Sequence, residues 1–336
     1  LVRIMGGNKD LVSYLQRAVG YSLTGDTRSQ TMFFLYGLGS NGKSTFVTTI
    51  RKLTGGYGTK ANTSLFMAKD NNSGGPSEDL ANLQGKRFVM ASEIEDGRRL
   101  AVVLIKEMTG GEAIRADRKY EHEIEFQPVH KIWLVGNHKP VITDTTLSIW
   151  RRVKLIPFTV TIADTEVDPG LPMKLESEFP GILAWAVKGC LEWQKYGLRE
   201  PKTVTNATFD YRREQDILGD FIDDCCLLQP GITVPKHDMK VAYEAWCSST
   251  SNPPVSQKTF RARLTERGVT ESKSGATRYW KGVALANSEG HQGQLGQKGQ
   301  LGQGTTGNLH TIENPEEFRE IPVPTCPNVP TGRRPQ

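Results

Sequence analysis

The run GLGSNGKST at residues 37–45 constrains this chain more than any other stretch. It fits G-x-x-x-x-G-K-[ST], with Gly37, Gly42, Lys43 and Ser44 in register. An apolar, aromatic-rich segment, TMFFLY, runs into it, and TFVTTIRKL, read as a helix, leaves it. Strand, glycine-rich turn, helix is the context in which backbone N–H groups wrap phosphate and a helix N-terminus favours negative charge. Gly37, Leu38, Gly39, Ser40, Asn41, Gly42, Lys43, Ser44 and Thr45 are therefore assigned to a nucleotide-phosphate cradle. Lys43 is expected on the β- and γ-phosphates of ATP, and the Ser44 hydroxyl on a Mg2+ ion.

Two more apolar runs, RFVMAS at 87–92 and KIWLVG at 131–136, share the character of TMFFLY, and all three are read as buried strands. Helical or turn-rich segments lie between them, which is the pattern of an α/β fold with a parallel sheet and crossovers. Leu11, Leu15, Val19 and Leu23 recur every four residues and predict a helix over 8–23. A second helix is predicted over 179–197, with Ile182, Trp185, Ala186, Gly189, Cys190 and Trp193 on one face. Three apolar-periodic stretches near 217–228, 236–247 and 256–267, followed by TRYWKGVAL, give the order of a winged-helix module. The tail repeats a GQLGQ unit and turns proline-rich, a composition expected to be disordered. The expected divisions are an N-terminal helical segment (1–30), a nucleotide-binding core (31–165), a helical connector (166–215), the module (216–285) and the tail (286–336).

Composition narrows the class. With 37% hydrophobic and 24% charged residues among 336, a sizeable core is available and global disorder is excluded. Lys plus Arg (42) exceed Asp plus Glu (37), a mild basic excess that tolerates a polyanionic partner. No apolar run approaches the ~20 residues of a membrane span. The start, LVRIMGGNKD, has neither an initiator Met nor a signal-peptide core and reads as the cut edge of a longer protein. Cys190, Cys225, Cys226, Cys247 and Cys326 are odd in number with no C-x-x-C pair, which suits neither a disulfide framework nor a zinc site. Structural thiols in a reducing cytoplasm are expected.

Magnesium-dependent hydrolysis of a nucleoside triphosphate needs a carboxylate at the end of a neighbouring strand. Glu93 follows RFVMAS directly. Glu95 would face the same way if the strand continued. Asn137 ends the third strand, where a carboxamide orients water or meets the γ-phosphate if that strand lies beside the loop-bearing one. Arg151 and Arg152 precede an apolar strand and are candidates for stabilising transferred phosphoryl charge. Between acid and asparagine, Arg115, Arg118 and Lys119 suggest a hairpin with a basic tip, with Tyr120 available to stack on a base. In the smaller module, Lys258, Arg261 and Arg263 fall near the start of a helix that would meet DNA, and Lys273, Arg278 and Lys281 would decorate a wing.

GYSLTGDT, FFLYGLGSNGKSTF, ASEIEDGRR, MTGGEAIRADR, GNHKP and RRVKLIPF together resemble superfamily 3 helicases, a branch of the AAA+ ATPases. More narrowly they look like the helicase portion of phage and plasmid DNA primases, the group similar to poxvirus primase-helicases. The resemblance covers roughly 8–285 and is densest over 33–160. It implies a homo-hexameric ring with ATP between subunits. The loop Gly37–Thr45 takes the Walker A role, Glu93 the Walker B role and metal contact, and Asn137 the sensor 1 role. It also implies an arginine finger at Arg151 or Arg152 and a pore hairpin at Arg115–Lys119. Ser92 stands where the family's commonest acidic pair has its first acid, which leaves Glu93 and Glu95 both open as the residue that activates water. The implied activity is ATP-driven translocation on single-stranded DNA and separation of forked DNA during replication. An ATP-switched DNA-binding initiator or regulator is the alternative. A small-molecule phosphotransferase would need neither the asparagine strand nor the paired arginines. A primer-synthesis centre, if the intact protein has one, is expected upstream of Leu1.

Overall fold

Four apolar runs and one short polar one fold into a single parallel sheet. The computed structural model describes residues 1–68, 78–118, 122–144 and 146–286. The chain divides into two compact units, Leu1–Asp216 and a second that begins at Ile217. In the first the elements are α1 (Lys9–Ser22), β1 (Met32–Tyr36), α2 (Lys43–Leu53), β2 (Gly58–Lys60), α3 (Glu78–Ala81), β3 (Phe88–Ser92), α4 (Val102–Gly110), β4 (Ile114–Ala116), β5 (Ile124–Phe126), β6 (Lys131–Gly136), α5 (Leu147–Trp150), β7 (Val153–Pro157), α6 (Leu171–Ser177), α7 (Phe179–Tyr196) and α8 (Lys202–Glu214).

The sheet order is β2-β3-β6-β1-β7 and every pairing is parallel. Parallel sheets carry cover on both faces, so their strands read as unbroken apolar runs. Met32, Phe34, Val89, Ala91, Ile132 and Leu134 point into one core with Ile105 of α4 and Tyr211 of α8. Phe33, Leu35, Phe88, Met90, Trp133 and Val135 point into the other, with Leu15 of α1, Val47 of α2 and Ala186 of α7. Trp133 is its centre: its ring lies 4.4 Å from Phe33 and 5.4 Å from Phe88, and Nε1 donates to Ser22 Oγ at 3.0 Å. β2 is absent from the sequence reading because its three residues, GTK, lie on the sheet edge and bury no side chain fully.

Asn8 caps α1 by accepting from the Leu11 N–H at 2.9 Å. The stretch 166–215, expected as a connector, belongs to the first unit. Trp193 of α7 packs beside Tyr21 of α1 (4.7 Å between ring centroids), and Thr208 of α8 accepts the Leu155 N–H of β7. β4 and β5 pair antiparallel, Arg115 opposite Glu125, as the hairpin reading anticipates.

The second unit contains α9 (Ile217–Cys225), β8 (Cys226–Pro235), α10 (Lys236–Ser249), α11 (Gln257–Glu266), β9 (Thr270–Ser274) and β10 (Thr277–Leu285). Its sheet is antiparallel in the order β8-β10-β9, around Phe221, Tyr243, Trp246 and Trp280. The helix expected over 217–228 stops at Cys225. Leu227 and Leu228 instead pair with Ala284 and Val283, a long-range pairing that overrides their local helical spacing. Cys190, Cys226 and Cys247 are free. Lys119, Tyr120, Cys326 and the expected disordered tail from 287 onward lie outside the described residues.

Candidate functional site

Parallel pairing aligns strand ends. Tyr36 is in register with Gly136, and Ser92 with Val135, so Gly37, Glu93 and Asn137 leave the sheet at one edge. The crevice beyond the carboxyl ends of parallel strands is where such sheets bind ligands. Here it is a cavity of about 680 Å³ lined by the loop from Gly39 to Thr45, by Ser92 and Glu93, and by Gly136, Asn137 and His138.

The loop's shape depends on glycine at two places. Gly42 is in the left-handed region (φ 81°) where it hands over to α2, and no side chain caps that helix. The first-turn N–H groups of α2 have no acceptors within the helix, and Gly42, Lys43, Ser44 and Thr45 line the cavity. At Gly37 a Cβ would stand 2.3 Å from Asn41 Nδ2 and 2.4 Å from the Phe158 carbonyl, so any larger residue would force the loop apart. Asn41 holds that closure by donating to the Phe158 carbonyl at 3.2 Å.

Lys43 is buried, and its ammonium donates to the Gly37 carbonyl (2.7 Å), Asn41 Oδ1 (2.9 Å) and Asn137 Oδ1 (3.1 Å). Burial pulls its pKa below the usual lysine value. One cation thus ties the loop after β1 to the residue after β6, as the adjacency of β1 and β6 allows. Glu93 lines the same cavity with its backbone in the left-handed region (φ 73°), a conformation that costs a non-glycine residue about 1–3 kcal/mol. β3 ends at Ser92, so the condition for Glu95 is not met. Glu95 is exposed on the following loop and does not line the cavity.

The paired arginines part company. Arg152 is buried, its Nε donating to Thr109 Oγ1 at 3.0 Å and its NH1 to the Ser148 carbonyl at 2.5 Å. Arg151 is exposed, and its guanidinium donates to Gln30 Oε1. Neither lines the cavity of its own chain. On the hairpin, Arg115 is exposed 3.7 Å from Glu125 and Arg118 donates to Gln84, while Lys119 lies outside the described residues. In the second unit Lys258 and Arg261 are exposed, but Arg263 is buried and is no surface contact. It falls on the inner side of α11 beside Leu264.

Arg51 of α2 and Lys60 at the end of β2 also line the cavity, and the sequence reading missed both. The only signal for Arg51 was its place on the helix leaving the loop, and Lys60 had none because β2 itself was not recognised. Among the described residues no three His, Cys, Asp or Glu side chains cluster as a metal site, and no helix is long and apolar enough to cross a membrane.

A mixed α/β unit whose five-stranded parallel core carries a glycine-rich loop between its β1 strand and the next helix has a P-loop-like fold. A family model described as a family of unknown function, DUF5906, matches residues 35–152, from the end of β1 to Arg152. A protein of Acanthamoeba polyphaga mimivirus that bears the name "Putative helicase" is 28% identical over 234 residues, covering 65% of this chain and 24% of that protein. A like-named protein of Frog virus 3 (isolate Goorha) is 24% identical over 257 residues, covering 71% of this chain and 26% of its own length. The chain thus spans about a quarter of the length of these curated relatives. The apo C-terminal region of NrS-1 aligns with a TM-score of 0.49 and 11% identity, over 84% of this chain and 74% of that one.

Proposed function

We propose that the chain is the ATP-hydrolysing motor of a DNA helicase, acting on single-stranded DNA at replication forks. The observation that carries this reading is the convergence of Lys43, Glu93 and Asn137 on one cavity at the carboxyl edge of the parallel sheet. The similarity to viral proteins named as helicases supports it.

The chain's residues divide the work. First-turn N–H groups of α2 and the Lys43 ammonium take the β- and γ-phosphates. Lys43 then exchanges its contacts with Gly37, Asn41 and Asn137 for phosphate oxygens. That exchange releases the Asn137 carboxamide to orient a water against the γ-phosphate. Glu93, the acid on the cavity wall, accepts the water's proton as the bond to phosphorus forms and the β–γ bridge breaks. Magnesium fits the donor set: it takes most ligands from phosphate and water, and Ser44 and Glu93 both face the cavity to supply the rest. When bound, it would supply positive charge against the charge carried by the transferred phosphoryl group. Arg151, exposed and away from its own cavity, is the finger offered to a neighbouring copy in a homo-hexameric ring. Arg152 holds the backbone behind it through Thr109 and Ser148. The β4–β5 hairpin, inserted between acid and asparagine in the chain, carries Arg115 and Arg118 to the DNA backbone. The second unit, with three helices and a hairpin, serves as a winged-helix module.

Phosphate release with and without single-stranded DNA, together with unwinding of a labelled fork, tests this. Glu93→Gln is expected to bind ATP and lose turnover by roughly 10²–10⁴-fold, and Lys43→Ala to lose both binding and turnover. Full turnover in either folded variant overturns the site. Turnover that ignores DNA, without unwinding, supports the initiator or regulator reading instead.

A further inference from the structure

The second unit holds a cleft of about 550 Å³ between α10, the start of α11 and the β9–β10 hairpin, and ATP hydrolysis makes no use of it. Its rim is cationic: Lys236, Lys240, Lys258, Arg261 and Arg278 face two acids, Glu244 and Glu271. Three of those cations gather on one carboxylate. Glu271 Oε1 accepts from Lys236 Nζ and Arg261 Nε, each at 2.8 Å, and Arg278 adds attraction through space. The floor is aromatic. Phe260 is half-buried, 4.9 Å from the Tyr243 ring and 6.4 Å from that of Trp280, and the Lys236 ammonium lies 4.3 Å over Trp280.

We infer that this cleft binds one nucleotide of an unpaired nucleic-acid strand, its phosphate taken by Lys258, Arg261 and Arg278 and its base laid on Phe260. The inference rests on the proposal that the chain acts on DNA, and adds where and in what form a strand is held. Size excludes a duplex from the interior: about 550 Å³ falls in the range of small-ligand pockets, which take a nucleotide but not a double helix. A cationic rim over an aromatic floor is the composition that holds single strands, with stacking supplying sequence-tolerant affinity. Glu271 competes with a phosphate for two of the three cations, Arg261, with which it is paired at 2.8 Å, and Arg278, which it attracts through space. It keeps both assembled without ligand, and the competition makes binding weak and quickly reversed, as a strand that moves requires. This also replaces the expected flat contact through α11, since Arg263 is buried.

Fluorescence anisotropy of a labelled ~12-nucleotide dT strand with the full chain, without ATP and at two salt concentrations, tests it. Glu271→Gln is expected to tighten binding several-fold by removing the competing carboxylate. Lys258→Glu and Arg278→Glu are each expected to weaken it about tenfold or more, with a shallower salt dependence. Phe260→Leu, checked for folding by thermal unfolding, is expected to lose roughly 5–100-fold at unchanged salt slope. A blunt duplex of equal length should compete poorly. Equal or weaker binding by Glu271→Gln, or no loss in the exposed Lys258→Glu variant, overturns the inference. Because this assay reads binding without nucleotide, wild-type binding that none of the variants alters removes the cleft alone. Loss of the ATP site would appear only in phosphate release.

Discussion

Lys131 begins β6 almost wholly buried, with its ammonium over the Tyr21 ring at 4.7 Å and donating to the Thr24 and Val129 carbonyls. Desolvation, aided by the nearby Arg87 charge and opposed by Asp26, pushes its pKa down to about 7. In the unfolded chain the same amine titrates near ~10.4. Between those values the unfolded state binds the proton and the native state does not, so Lys131 makes stability rise with pH from about 7 upward. Replacement by methionine removes the titration. Thermal midpoints followed from pH 6 to 8.5 should show the wild type gaining on Lys131→Met as pH rises, by at most ~1.4 kcal/mol per pH unit. Parallel curves would mean that the ammonium stays charged in place. Nothing in the local sequence KIWLVG announces this lysine as internal. Its burial follows from the first helix passing beside the start of a central strand.

At the scale of elements, α1 and α7 meet backbone to backbone. A Cβ on Gly189 would stand 2.0 Å from the Gln16 carbonyl oxygen, and one on Gly20 would stand 2.1 Å from the Cys190 nitrogen. Gly189→Ala therefore forces the helices apart and is expected to cost ~1–3 kcal/mol despite alanine's better helix propensity. Gly181 lies on the same helix with nothing within 4 Å of its added Cβ. Gly181→Ala should gain ~0.5–1 kcal/mol, because only propensity changes there. Urea unfolding midpoints check both, and a loss in both variants would remove the close-approach account. The apolar face of this helix was legible from its spacing, and Gly189 fell on it. That the partner is α1, more than 160 residues earlier, was not legible, since helical periodicity names a buried face but not what covers it.

At the scale of the whole molecule, the division between Arg151 and Arg152 makes the assembly testable. The Arg152 guanidinium is buried and hydrogen-bonded inside its own chain, whereas Arg151 is exposed, donates to Gln30 and lies outside the lining of its own cavity. If Arg151 completes the site of a neighbouring copy, Lys43→Ala and Arg151→Ala damage opposite sides of a shared interface. Mixing the two inactive proteins should then restore part of the ATP turnover, because some interfaces pair an intact loop with an intact finger. An Arg152→Ala partner should rescue less, since that change disturbs the fold of its own subunit. Absence of rescue at every ratio, with mixed assemblies demonstrated by differential labelling, would place Arg151 outside the reaction.

The glycine-rich loop, the apolar strands and the residues that follow them are decided by local chemistry. Glycine at Gly37 and Gly42, an amphipathic helix after Lys43, and unbroken apolar runs each have one economical conformation, so the sequence alone specified the loop and set Glu93 and Asn137 directly after strands, with Glu95 still open. What tertiary structure decided was adjacency and burial. Strand order placed Asn137 beside Lys43. The end of β3 at Ser92 separated Glu93 from Glu95, and long-range pairing turned Leu227 and Leu228 from helix into strand. Charged side chains are where local reading fails most. Lys131, Arg152 and Arg263 are written like surface residues, and only the packing of distant elements around them removes them from water.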